Sequence, residues 1–252
     1  MSRISGVAIG LVRSLDDPQG LGRVQLTFPW MSEDEPESNW ARIAVPMAGA
    51  ERGMQFMPEV GDEVLVAFEQ GELRLPYVVG SLWNGEDRPP RDDAKLRTIK
   101  TVSGHVLEFD DTGGSEKITL TTQGEHKLIL NDTEGTVILE SQGGNVIRMT
   151  DTPAGIRLET PGGQTVSIED APPGVSISLS TGSQVSLGPA GVSIDASTAM
   201  VDIRCLQATV NASALLSVTA PFVTFSGVVQ TTTLIATSVV STSYTPGAGN
   251  LI

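Results

Sequence analysis

Between Gly143 and Leu179 the chain nearly repeats itself at a step of 19 residues: Gly143-Gly144 returns as Gly162-Gly163, Asp151 as Asp170, and Gly155-Ile156 as Gly174-Val175. A unit this short cannot enclose a core of its own. Earlier copies begin near Gly104 and Gly124, so four units follow one another at spacings of 20, 19 and 19 residues. Each reads as an alternating strand, a turn containing aspartate and a second alternating strand, as in NVIRM, TDTPAG and IRLET. Period-two alternation gives each unit one apolar face. A lone two-stranded unit is not stable in water, so successive units must stack.

Charge divides the rest of the 252 residues into three zones. Residues 1–90 hold seven arginines, no lysine, fourteen acids and all three tryptophans; residues 91–160 hold eight basic and twelve acidic side chains. From 161 onward Arg204 is the one basic residue, against four acids, and Ser, Thr, Val, Ala and Gly dominate. The segment NGEDRPPRDD (84–93), with adjacent prolines and dense charge, reads as a linker. The first zone carries strand-like runs at 22–30, 41–49, 62–70 and 75–83, bounded by turn chemistry such as DDPQGLG and PEVGD. Some five short strands in about 80 residues suit a small closed barrel such as an OB-fold, which leaves no sticky edge.

Chemistry is scarce. A net charge of −14 argues against a nucleic-acid partner and against an anionic membrane surface. The single cysteine, Cys205, is expected as a small buried hydrophobe, since it has no partner for a disulfide or a zinc site. The turn aspartates Asp111, Asp132, Asp151 and Asp170 stand shortly before Gly or Pro, where carboxylates are expected to accept backbone N–H bonds, and a repeated catalytic acid has no purpose. His105 and His126 lie 21 residues apart at strand starts without further ligands, so structural histidines are expected. No GGxGxD calcium repeat, serine-nucleophile motif, P-loop or dinucleotide fingerprint occurs. No catalytic, cofactor or metal residue is therefore assigned, and no enzyme is expected. GVAIGLV (6–12) is too short and wrongly flanked for a signal peptide. The expected route is synthesis in the cytoplasm.

The segments DPQGLGRVQLTFPW, ARIAVPMAG, GMQFMPEVGDEVLVAFEQGELRLPYVVGSLWN and SGHVLEFDDTGGSEKITL together resemble the spike proteins of contractile injection machines, the phage baseplate assembly protein V and VgrG group. The resemblance implies an all-β chain: an OB-fold barrel over residues 1–84, a linker at 85–97, a shaft at 98–182 and a narrow tip at 183–252. Shaft and tip would form an intertwined trimeric β-helix or β-prism needle. A single-chain solenoid fits the 19-residue repeat equally well; the small side chains of the last third favour three chains sharing one thin core. Candidate core positions are Val106, Leu107, Ile129, Ile147, Val166, Ile177 and Val218.

The same resemblance implies a membrane-puncturing spike that transmits the force of sheath contraction, in a phage tail or a contractile injection particle, extracellular after release. Implied partners are a homotrimer, a separate hub and baseplate proteins near the barrel, a PAAR-type tip protein, and a target membrane met on contraction. The tip protein would dock on Ser243, Tyr244, Thr245, Pro246, Gly247, Ala248, Gly249, Asn250, Leu251 and Ile252. The hub is expected as a separate protein, and a linker of about ten residues is not expected to hold a lysozyme domain. The rival reading is a carbohydrate-binding or depolymerase β-helix, for which the last 92 residues offer few aromatics and few acids.

Overall fold

The computed structural model describes residues 4–31, 38–196 and 199–241, and these are strands and turns apart from one 3-10 turn at Glu69–Gly71. The first sheet is built from β1 (Val7–Ser14), β2 (Gln25–Thr27), β3 (Arg42–Ile43), β6 (Glu63–Phe68) and β7 (Pro76–Ser81), in the order β2-β1-β6-β7-β3. A separate hairpin joins β4 (Ala48–Gly49) to β5 (Arg52–Gly53). β6 is the central strand, flanked by β1 and β7, and β1 comprises most of the apolar run at 6–12.

Alternation decides what this sheet buries. In β6, Val64, Val66 and Phe68 point inward while Glu63, Leu65 and Ala67 point out. With Val12, Val24, Leu26, Phe28, Ala41 and Val78 they form one core, each of its valine, leucine and phenylalanine side chains contributing ~1.5–3 kcal/mol by burial. The barrel closes where Val24 and Ala41 exchange backbone hydrogen bonds of 3.0 and 2.8 Å. Gly10 of β1 makes room for this core: a Cβ there would lie 3.2 Å from Val66 and 3.3 Å from Phe28.

The second sheet has eleven strands in simple sequence order, every neighbour antiparallel. They are β8 (Leu96–Lys100), β9 (Val106–Asp110), β10 (Lys117–Thr121), β11 (Lys127–Asn131), β12 (Thr136–Glu140), β13 (Val146–Asp151), β14 (Ala154–Glu159), β15 (Thr165–Asp170), β16 (Pro173–Ser178), β17 (Gln184–Gly188) and β18 (Gly191–Asp195). The repeat thus runs one unit further than the sequence suggested. The sheet crosses the boundary expected at 182–183 without a break, and its first strand takes in Leu96 and Arg97 from the segment expected as linker. Arg91 of that segment is tied to Glu108 of β9 by a 2.6 Å ion pair.

One row of turns repeats a single geometry. The amide of Gly104 bonds to the Thr101 carbonyl, Glu125 to Thr122, Gly144 to Ser141, Gly163 to Thr160 and Gly182 to Leu179, all at 2.9–3.0 Å and all with positive φ at the donor. This is a three-residue hairpin loop with a left-handed residue in its last position, which is why the paired glycines recur. The hydroxyls of Thr101, Thr122, Ser141 and Thr160 each accept the amide four residues on.

Successive turns are also tied to each other. His105 Nδ1 accepts the Gln123 amide at 3.1 Å and His126 Nδ1 accepts the Gln142 amide at 3.3 Å, the structural use expected of both histidines. On the other row of turns, Glu116 accepts the Thr133 hydroxyl and the Gly114 amide, each at 3.0 Å. Its own amide, Thr133 and Gly114 hold its carboxyl below the usual range. The turn-forming acceptors there are Asp110 and Asn131, one residue upstream of the aspartates expected, while Asp111 pairs with Arg97.

After β18 the chain forms no strand among the described residues to 241, although its sequence continues to alternate. This segment belongs to a second unit, Asp202–Ile252. Cys205 is exposed here, against the expectation of burial, because the described residues around it form no strand and no core of their own.

Candidate functional site: an uncovered aliphatic face

The strand registers of the eleven-stranded sheet align its side chains into rows. One row runs Ile99, Leu107, Leu120, Leu128, Leu139, Ile147, Leu158, Val166, Ile177, Val185, Ile194. A second row on the same face runs Arg97, Phe109, Ile118, Leu130, Val137, Met149, Ile156, Ile168, Val175, Leu187, Val192. All of these positions are apolar except Arg97. Such rows follow from alternation plus hairpins of constant register, since a one-residue slip would turn every side chain to the other face.

The opposite face is polar. Two of its ionic pairs lie across adjacent strands, Lys117 with Asp110 at 3.5 Å and Lys127 with Glu140 at 3.8 Å, and Ser167 shares a 2.7 Å hydrogen bond with Ser176. Thr112 and the charge of Lys117 hold the Asp110 carboxyl below its usual range.

Among the described residues the aliphatic face stands largely exposed. Leu139 is 51% exposed, Ile177 47% and Leu120 45%, in a contiguous patch spanning all eleven strands. Soluble single chains rarely expose apolar patches beyond a few hundred Å², and larger ones mark interaction surfaces. The segment after β18 has the same need in another form. Leu206, Phe222 and Ile235 are fully or almost fully exposed, and its backbone pairs with no strand of this chain among the described residues. Its exposed large apolar side chains, like those of the aliphatic face, mark an interaction surface.

Of the core candidates, Leu107, Ile147, Val166 and Ile177 lie on the aliphatic face, whereas Val106 and Ile129 lie on the polar one. Val218 is exposed in the extended segment. The row mates Leu120, Leu139, Leu158 and Ile168 were missed; counting alternation from each hairpin turn would have found them. The docking candidates Ser243 to Ile252 lie outside the described residues. Among the described residues no cluster of His, Cys, Asp or Glu could hold a metal ion, and no helix is long and apolar enough to cross a membrane.

The barrel and the sheet with the exposed aliphatic face each fall in a region that a known family matches. Residues 8–83 match the type VI secretion system/phage-baseplate injector OB domain, and residues 155–216 match the phage baseplate V C-terminal trimerisation domain. The chain belongs to the VgrG-like baseplate spike proteins. It is 30% identical over 146 residues to the type VI secretion system spike protein VgrG3 of Vibrio cholerae, covering 51% of this chain and 14% of that one. Identity to the spike protein VgrG2a of Pseudomonas aeruginosa is 34% over 116 residues, 42% of this chain and 14% of that one. The actin cross-linking toxin VgrG1 of V. cholerae is 29% identical over 128 residues, 46% of this chain and 12% of the toxin. The chain thus spans about a seventh of the length of these relatives. Both matched domains are structural parts of an injection machine.

Proposed function

We propose that three copies of this chain bring their aliphatic faces together about one axis, and that the resulting needle carries the force of sheath contraction to a target envelope. The observation that carries this reading is the continuous apolar face, exposed in one chain and overlapping the matched trimerisation domain. Three such sheets facing inward form a prism whose polar faces meet water. Dense cross-strand hydrogen bonding makes such a shaft stiff, and the extended segment after β18 continues it by pairing with the other two chains.

No reaction is catalysed in this reading. The barrel end meets a hub and baseplate proteins, and the segment Ser243 to Ile252 carries a PAAR-type tip protein. Assembly takes place in the cytoplasm, into a phage tail or an injection particle that acts outside the cell. The test is to tag the chain, purify the assembled particle and image it. Axial density between hub and tip, with loss of injection when the chain is deleted, is the expected result. A position on sheath or fibre would sink the reading, as would cleavage of capsular polysaccharide, which belongs to the depolymerase alternative.

A further inference from the structure

The polar face of the eleven-stranded sheet breaks its own charge rule at one place. Elsewhere it sets opposite charges across neighbouring strands, with Lys117 opposite Asp110 and Lys127 opposite Glu140. At β13 and β14, Arg148 stands directly opposite Arg157. Like charges in register are destabilising, and this pair sits in a chain with 30 acids and only 16 basic residues. Glu159 takes Nε of Arg157 at 3.1 Å, which offsets one charge. Arg148 makes no ion pair or side-chain hydrogen bond among the described residues.

The two arginines also share a space. Both line a cleft of about 340 Å³ that includes Gly144, Glu159 and Thr160, and both line an adjoining cleft of about 160 Å³ that includes Thr150 and Ser167. We propose that Arg148 and Arg157 form a binding site for a phosphate group, one per protomer. A guanidinium presents N–H donors in a planar fork that suits phosphate oxygens. A tetrahedral phosphate can accept from two such forks at once and supplies the negative charge that the pair lacks. The glycine at 144 leaves one wall of the cleft without a side chain. Free phosphate and the phosphate monoester of a lipid headgroup share this chemistry.

The test uses the full-length assembled protein at low ionic strength. One arm titrates inorganic phosphate by calorimetry against a chloride control. The other sediments the protein with phosphatidylcholine vesicles that contain or lack phosphatidic acid. Binding in either arm, weakened about tenfold or more by Arg148→Gln and by Arg157→Gln and unchanged by Lys127→Gln, supports the site, and the responding arm identifies the source. Arg148→Lys keeps the charge and loses the fork; a partial loss is expected from it, and it serves if Arg148→Gln fails to fold. Absence of binding in both arms, or binding that survives the double Arg148→Gln, Arg157→Gln variant, overturns the proposal. Solution mass on every variant separates this outcome from failure of the trimer.

Discussion

Asp17 and Arg23 clasp the first loop of the barrel, with Arg23 Nη2 donating to Asp17 Oδ1 at 2.6 Å and Nε to Oδ2 at 3.0 Å. The same carboxylate accepts the backbone amides of Gln19, Leu21 and Arg23, and its side chain is only 3% exposed. The motif DPQGLGR is therefore a loop folded around one carboxylate.

That clasp makes the barrel acid-sensitive. Arg23 above all, then the three amides, hold the Asp17 carboxyl well below the usual carboxylate range, against the opposing effect of burial. A depressed folded-state pKa contributes stability that is present above the unfolded value, about 3.9, and is lost as pH falls through the folded one. Asp17→Asn should remove this part of the acid dependence below about pH 4. Amide exchange at Gln19, Leu21 and Arg23 should quicken on the order of tenfold or more. Unchanged exchange would show that the loop does not need the clasp.

Adjacent residues test the two faces of the large sheet. Val166→Lys places an unpaired cation on the aliphatic face and should cost several kcal/mol per chain at a closed interface. Thr165→Lys, one residue away, points to the polar face opposite Glu159 and should be nearly neutral. Light scattering should give three times 26.5 kDa for the parent and for Thr165→Lys, and a smaller mass for Val166→Lys. Equal masses for the two variants would remove the aliphatic face from the interface.

Glu125 occupies the left-handed slot that glycine fills at 104, 144, 163 and 182, with φ of 64°. A side chain there costs about 1 kcal/mol, partly offset by the greater freedom of glycine in the unfolded chain. Glu125→Gly should stabilise the sheet by up to ~1 kcal/mol, read as a higher denaturant midpoint.

Within the barrel, Leu26 is fully buried among Val24, Val64 and Val66. Leu26→Ala should cost about 2–5 kcal/mol in barrel stability by cavity formation, measured by near-ultraviolet circular dichroism through chemical unfolding.

Strand existence was legible in the alternation of residues 106–178, and the hairpin corners in the recurring Gly-Gly pairs, because both are local properties. Faces were harder to read. Val106 and Ile129 are β-branched and apolar, yet they stand on the polar face, since only the hairpin register settles which half of an alternating strand turns inward. The turn acceptors Asp110 and Asn131 were displaced by one residue from the expected aspartates for the same reason.

By itself the sequence determined the all-β character, the stacked units and the absence of a recognisable catalytic motif, because composition and periodicity set these within a few residues. Tertiary structure alone decided that eleven strands form one meander with constant register, that its apolar rows are contiguous and bare, and that Arg148 meets Arg157. Register is a long-range choice, summed over every hairpin, and no single unit of about 19 residues contains it.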